Sequence, residues 1–266
     1  MLLIDSSIDL AIGCELVSEK IVRPSPSSRI PRSRLLGILN EGLSACNSTI
    51  ICGRAGSGKT SLAVDFSLCC RRPTAWYKVD APDGDLRVFF QYLIASIQRQ
   101  RATFGTRALS AIVAIAERDH VPLLAEAFAY ELTEDAHNAL LIVIEDLHHA
   151  CDAEWLVPFF RRLLPLLPDH VHVLITSRTM PPAPLWRMRS KQTLLVIDES
   201  TLAFNRFEAS ELFESHGLSH EQATIALDHT HGRASALAAF AATLSQTDRQ
   251  SVSLTSDTQK LPRRAS

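Results

Sequence analysis

STIICGRAGSGKTSL, residues 48 to 62, places a short apolar run, a glycine-rich turn and the start of a helical pattern within one stretch. Its centre, Gly53-Arg54-Ala55-Gly56-Ser57-Gly58-Lys59-Thr60, fits G-x-x-x-x-G-K-[ST]. Each fixed position has a chemical reason. Glycines let successive backbone N–H groups wrap a phosphate chain, the lysine neutralises the β- and γ-phosphates, and the threonine hydroxyl is a ligand for Mg²⁺. Arg54, Ala55, Ser57 and Ser61 complete the predicted cradle. The apolar run before the turn and the helical pattern after it supply the strand–loop–helix context that this motif requires.

The flanking sequence extends the same logic. SRLLGILNEGL predicts a short helix with Ser33 as its N-cap, because Leu35, Leu36, Leu39 and Leu43 recur at helical spacing. KTSLAVDFSLCC (59–70) continues as a helix, and TAWYKV (74–79) reads as a second strand. Residues 85–98 carry Leu86, Val88, Phe89, Tyr92, Leu93 and Ile97 on one broad face, and 107–117 and 121–132 predict two further helices. ALLIVIE (139–145) and VHVLITS (171–177) are apolar on both faces, which implies strands of a parallel sheet covered by helices. EWLVPFFRRLLPLL (154–167) is helical in part, QTLLVI (192–197) is the candidate fifth strand, and 207–216, 219–229 and 233–245 predict three short helices. The expected division is a lead-in at 1–28, an α/β domain at 29–200, a helical subdomain at 201–244 and a disordered tail at 245–266.

Two further groups of residues carry chemistry. The 139–145 strand ends in Glu145-Asp146, where one carboxylate can hold a magnesium ion's water shell and the other can orient an attacking water; the order of the two roles stays open. Arg178 follows the next buried strand, at the sheet edge where open α/β sheets bind ligands, within reach of a γ-phosphate. His148 and His149 are adjacent, so they do not face one ligand, and no Cys or His stands at zinc spacing; they predict the start of a helix.

Composition narrows the classes. In 266 residues, 27 Lys and Arg against 29 Asp and Glu leave a formal charge of −2, which disfavours nucleic-acid binding through bulk charge. Together with the lack of a helix-turn-helix pattern after the loop region, this predicts no specific duplex-DNA binding by the chain alone. Hydrophobic residues at 46% supply a core, yet the fully apolar runs, such as Ala139 to Ile144, are far short of a membrane span. The amino end has no basic n-region and predicts no cleaved leader. Six cysteines without a C-x-x-C pair suit buried thiols in a cytoplasmic protein, with neither disulfides nor zinc.

PRSRLL (31–36), GRAGSGKTSL (53–62), AWYKVDAPDGDLRVFFQYL (75–93), LLIVIEDLHH (140–149), LITSRTMPP (174–182) and WRMR (186–189) together resemble the nucleotide-binding module of the STAND signal-transduction ATPases, in particular the MalT-like regulators among the large LuxR-type transcription factors. The likeness spans about residues 28–243. It implies a three-layer, ASCE/AAA+-like P-loop NTPase with a five-stranded parallel sheet and a small C-terminal helical subdomain. It also implies an ATP/ADP switch with Mg²⁺ and slow hydrolysis, which assembles with its own copies or with a regulatory partner protein in the ATP state. Carried onto this chain, Gly53, Gly58, Lys59 and Thr60 hold phosphates and magnesium, Glu145 and Asp146 are the Walker B acids, Arg178 senses the γ-phosphate, and Arg32 lines the adenine side. Where the family has Gly-x-Pro, this chain has Gly232-Arg233-Ala234.

Overall fold

The computed structural model describes residues 16–26, 31–106, 108–116, 120–134, 139–180, 182, 185 and 194–258. The stretch 186–189 and the ends of the chain, 1–15 and 259–266, lie outside the described residues. Five strands, β1 (Ser48–Cys52), β2 (Thr74–Lys78), β3 (Leu140–Glu145), β4 (Val171–Ser177) and β5 (Leu195–Ile197), form one sheet in the order β2-β3-β4-β1-β5. Every neighbouring pair is parallel, with Ile50 opposite Ile175 and Val196, Ile142 opposite Val173, and Trp76 opposite Val143. The chain leaves β1 for the far edge and returns strand by strand, so the direction of travel reverses beside β1. In an open parallel sheet, that reversal is where ligands bind, outside the carboxyl ends of the strands.

Alternation along the strands assigns the helices to two faces. Tyr77, Ile50, Ile142, Ile144, Val173 and Ile175 point to one side, where α3 (Leu86–Gln98), α5 (Val121–Glu134) and α6 (Leu156–Leu163) cover them. Aromatic rings dominate that layer: Phe90 meets Phe159 edge-on at 4.7 Å, and Phe104 meets Phe128 at 5.2 Å. The helix α4 (Ala108–Ile115) completes the insertion between β2 and β3. On the opposite face, Ile51, Trp76, Leu141, Val143 and Leu174 pack on α1 (Ser33–Ala45) and α2 (Lys59–Cys69) through Leu35, Leu39, Leu62 and Phe66. The result is the three-layer α/β sandwich that doubly apolar strands demand.

After β5 come α7 (Glu199–Leu202), α8 (Arg206–Glu214), α9 (His220–Thr230) and α10 (Ala234–Thr258). The last three enclose a core of their own, built from Phe213, Leu218, Ala223, Ala226, Leu237 and Ala241. Reciprocal side-chain caps start α8 (Asn205 with Glu208) and α9 (Ser219 with Gln222). One expectation is corrected. Ser33 is not the cap of α1: it is the first helical residue, flanked by Arg32, and no side chain caps that end. The entry to α1 is fixed by long-range bonds of the Arg32 side chain, described below. Helix α10 runs to Thr258 and meets neither Gly nor Pro along its length. Among the described residues, no helix is long and apolar enough to cross a membrane.

Candidate functional site

The glycine-rich loop joins the carboxyl end of β1 to the amino end of α2. Gly56 (φ +78°) and Gly58 (φ +92°) are both left-handed, a conformation in which a side chain would be strained. Gly58 is the residue that flanks α2, so the N–H groups of Lys59 and Thr60 have no intrahelical acceptor, and the positive end of the helix faces the loop.

The carbonyl groups of residues 53–56 are all engaged. Lys59 Nζ donates to Gly53 O at 2.6 Å and to Arg54 O at 3.0 Å. Arg233 Nη2 donates to Ala55 O at 2.6 Å, and the backbone N–H of Ser235 donates to Gly56 O at 2.9 Å. Gly53 N–H in turn donates to Ser177 O at 3.2 Å, fastening the loop to the end of β4. Burial lowers the Lys59 ammonium below its ordinary range, and the Arg178 charge lowers it further, against the attraction of Asp146. Ser57 Oγ is buried without a hydrogen-bond partner. A buried orphan hydroxyl in a loop of this composition fits a ligand rich in oxygen. Burial pushes the Cys52 thiol, just before the loop, up to about 12, so it stays neutral there.

Both acids lie at the end of β3, next to the loop. Glu145 is buried, and both of its oxygens are held: Thr60 Oγ1 donates to Oε1 at 2.6 Å and Trp76 Nε1 donates to Oε2 at 3.1 Å. Asp146 turns left-handed (φ +57°), and its N–H donates to Thr176 Oγ1 at 3.0 Å. The turn separates the directions of the two neighbouring carboxylates. The Asp146 side chain is 19% exposed, with His148 Nδ1 3.8 Å away. His148 and His149 lie in a short 3-10 turn at Leu147–Ala150. Burial lowers the His148 imidazole, and His149 lowers it further. Arg178 is exposed after β4 and makes no hydrogen bond to a described residue, while its charge reaches Lys59 and His148.

A cleft of about 220 Å³ opens beside the loop, with Arg54, Ser57, Glu199, Ala203, Gly232 and Arg233 in its walls. Arg54 Nε donates to Glu199 Oε1 at 2.7 Å across its rim. Arg32, expected on the adenine side, is committed to the protein itself. Its guanidinium donates to Leu202 O (2.7 Å), Ala203 O (3.1 Å) and both oxygens of Glu208 (2.7 and 3.3 Å), and lies 3.9 Å over the Phe204 ring. Arg32 therefore supports the wall of the cleft from behind. The structure thus brings 53–61, Glu145, Asp146 and Arg178 to one end of the sheet and sets Arg32 apart. It adds Trp76, Thr176, Glu199, Glu208 and Ser235, which sequence reasoning had not singled out, and Arg233, which it had named only as part of Gly232-Arg233-Ala234. Of these, only Glu208 carried a local signal, as the fourth residue of an N-x-x-E helix start.

No family model matches the chain. It is similar to the HTH-type transcriptional regulator MalT of Cronobacter sakazakii, with 31% identity over 202 residues, which is 75% of this chain and 22% of that protein. The chain thus spans about a fifth of that relative's length. Among solved structures, the Walker-type ATPase PABY2304 of Pyrococcus abyssi superposes with a TM-score of 0.53 at 11% identity, covering 91% of this chain and 79% of the other. That likeness shows the fold. The Drosophila ORC structure bound to AT-rich DNA and Cdc6 matches at a TM-score of 0.39 and 14% identity, over 69% of this chain and 61% of that one.

Proposed function

We propose that this MalT-like P-loop ATPase module binds ATP and ADP with magnesium and works as a slowly hydrolysing switch in signal transduction. The observation that carries the reading is the pairing of a buried Lys59, held on loop carbonyls, with a Thr60 hydroxyl bonded to Glu145. A cation beside glycine amides suits a phosphate chain. A hydroxyl sharing a carboxylate suits a hydrated divalent cation.

Gly53, Gly58 and Lys59 would hold the phosphates, and Thr60 with Glu145 would hold the magnesium ion. When bound, magnesium supplies charge neutralisation to the phosphate oxygens. Asp146 has a carboxylate less engaged than that of Glu145, and in this reading it orients a water and accepts its proton. Arg178 distinguishes a γ-phosphate from its absence. An interaction present with ATP and missing with ADP can shift a conformational equilibrium, whereas one made equally to both cannot. The switch would act by changing its assembly with its own copies or with a regulatory partner protein, and not by binding DNA through this chain.

Calorimetry on the full chain tests the reading. Lys59→Ala should weaken Mg-ATP and Mg-ADP binding by about 1.5–3 kcal/mol, the range of a hydrogen bond to a charged group. Equal affinity in the variant and the wild type would remove the central claim.

A further inference from the structure

The four carbonyls at 53–56 are held by two different parts of the molecule. Lys59, inside the α/β domain, takes the first two, while Arg233 and Ser235, at the start of α10, take the carbonyls of Ala55 and Gly56. In a peptide unit, the carbonyl and the following N–H point in roughly opposite directions. Whatever fixes the Ala55 carbonyl on one side therefore turns the Gly56 N–H to the other, where an anion would be gripped, while the Ser57 N–H donates within the loop to Arg54 O at 3.2 Å.

The contact is close and specific. A side chain at Gly56 would run into Ser235, with its Cβ 2.9 Å from the Ser235 Cβ. Gly232 (φ +73°) lets the α9–α10 turn pack backbone to backbone on Phe204, where any Cβ would stand 2.6 Å from Phe204 O. Phe204 N–H donates to Gly232 O at 2.8 Å in the same contact. The Arg233 guanidinium has a neutral carbonyl as its hydrogen-bond partner and makes no ion pair with a described residue, while Arg54 occupies the nearby Glu199. The same cleft contains the unpartnered, buried Ser57 hydroxyl, an independent sign that an oxygen-rich ligand completes it.

We infer that Arg233 is a positioning residue through which the helical subdomain sets the loop for phosphate, so that docking of α10 and nucleotide binding favour each other. The proposal rests on the nucleotide-binding reading and deepens it. Arg233 acts through the loop amides, without requiring contact with the nucleotide. Linkage makes the coupling reciprocal: a docked α10 raises affinity, and bound ADP raises docking by the same factor. The Gly232-Arg233-Ala234 sequence thus supplies a long cationic side chain for docking at a place where the resembling family has a proline two residues after the glycine.

The test uses the full chain with Mg-ADP and, separately, adenosine as probes. Calorimetry compares wild type with Arg233→Ala and Arg233→Lys, and hydrogen exchange reads the first turn of α10 with and without ADP. The expected result is a loss of about tenfold in ADP affinity for Arg233→Ala, within the usual range of coupling between sites. Adenosine binding should be unchanged, and Arg233→Lys should recover most of the loss because an ammonium can still donate to Ala55 O. ADP should slow exchange at the start of α10 in wild type and much less in Arg233→Ala. Unchanged ADP affinity in Arg233→Ala, in a wild type that binds ADP, overturns the proposal alone. Equal losses for ADP and adenosine overturn it as well, because the effect would then not run through the phosphates. A wild type that fails to bind ADP defeats the proposal together with the reading beneath it.

Discussion

Glu208→Gln tests what holds the helical subdomain beside the loop. The Glu208 carboxylate accepts from Arg32 Nη2 (2.7 Å) and Nε (3.3 Å), Arg34 Nη2 (3.2 Å) and the Asn205 N–H (3.1 Å), and both Glu208 and Arg32 have side chains 11% exposed. Exposed ion pairs contribute about 0–1 kcal/mol, whereas removing one partner of a buried pair costs about 3–5 kcal/mol, because a desolvated charge is left behind. Arg32 keeps its bonds to Leu202 O and Ala203 O, and Arg34 is 34% exposed, so the low end, about 3 kcal/mol, is expected. Burial by itself would raise the Glu208 carboxyl, but the bonds from Arg32, the Asn205 backbone and Arg34 outweigh it and hold the carboxyl below its ordinary 4.5. A carboxyl depressed by folding stabilises fully above its unfolded value and loses that contribution as pH falls through the folded one. Urea unfolding of wild type and variant should therefore differ fully at neutral pH and converge below about 4.5. Adding Arg32→Met to Glu208→Gln should restore part of the loss, since no buried charge then remains. A difference under about 1 kcal/mol at pH 7, or one independent of pH, would place the cluster with ordinary surface bridges and refute the reasoning.

Asp146→Asn should slow hydrolysis more than it weakens ATP binding, as expected of a group acting in the transition state, and Glu145→Gln should shift the magnesium dependence; steady-state kinetics with metal titration would show the roles reversed if the assignment is wrong. Arg178→Ala should spare ADP affinity and lower ATP affinity, measured by calorimetry, and equal losses for both would reduce Arg178 to part of the general cradle. His172, in β4 beside β1, has its Nδ1 3.0 Å from Cys46 O and its Nε2 3.0 Å from Thr49 Oγ1, and burial pushes its imidazole down to about 4. Folding favours the neutral ring, so its contribution is complete above pH 6.5 and falls by roughly 3 kcal/mol as pH drops toward 4. The stability of wild type relative to His172→Gln should therefore fall by that amount as pH drops over that window, and parallel curves would show that His172 does not titrate there.

How far the sequence foretold this molecule follows from how far apart the interacting residues lie along the chain. Strands β1, β3 and β4 are buried on both faces, so their apolar runs read directly as interior parallel strands. The loop residues were legible because the whole cradle is contiguous, and the two acids because they end a buried strand. The edge was less sharp: 192–197 predicts a longer β5 than the three residues that pair with β1, and 192 and 193 lie outside the described residues. An edge strand is ended by its lack of a second neighbour as much as by its own composition.

The assignment of Arg32 shows a different limit. PRSRLL places Arg32 just before α1, but an arginine's preference among acceptors is settled by what the fold brings to it, here two carbonyls at the end of α7 and a carboxylate 176 positions away. Arg233 is the mirror case, since its acceptor at Ala55 lies 178 positions back and no local pattern marks the pairing. These two arginines fix opposite sides of one connection: Arg32 ties the entry of α1 to 202–208, and Arg233 ties the entry of α10 to the loop. The segment between β5 and α8 is held by Arg32 at Leu202 O and Ala203 O and by the Phe204 N–H on Gly232 O, next to Arg233, so a change at the loop carbonyls bears on the same backbone that Glu208 and Arg32 restrain. Weakening the Glu208 cluster should therefore lower nucleotide affinity in proportion to the undocking it causes, and combining it with Arg233→Ala should cost less than the two losses added, because each variant releases the same body.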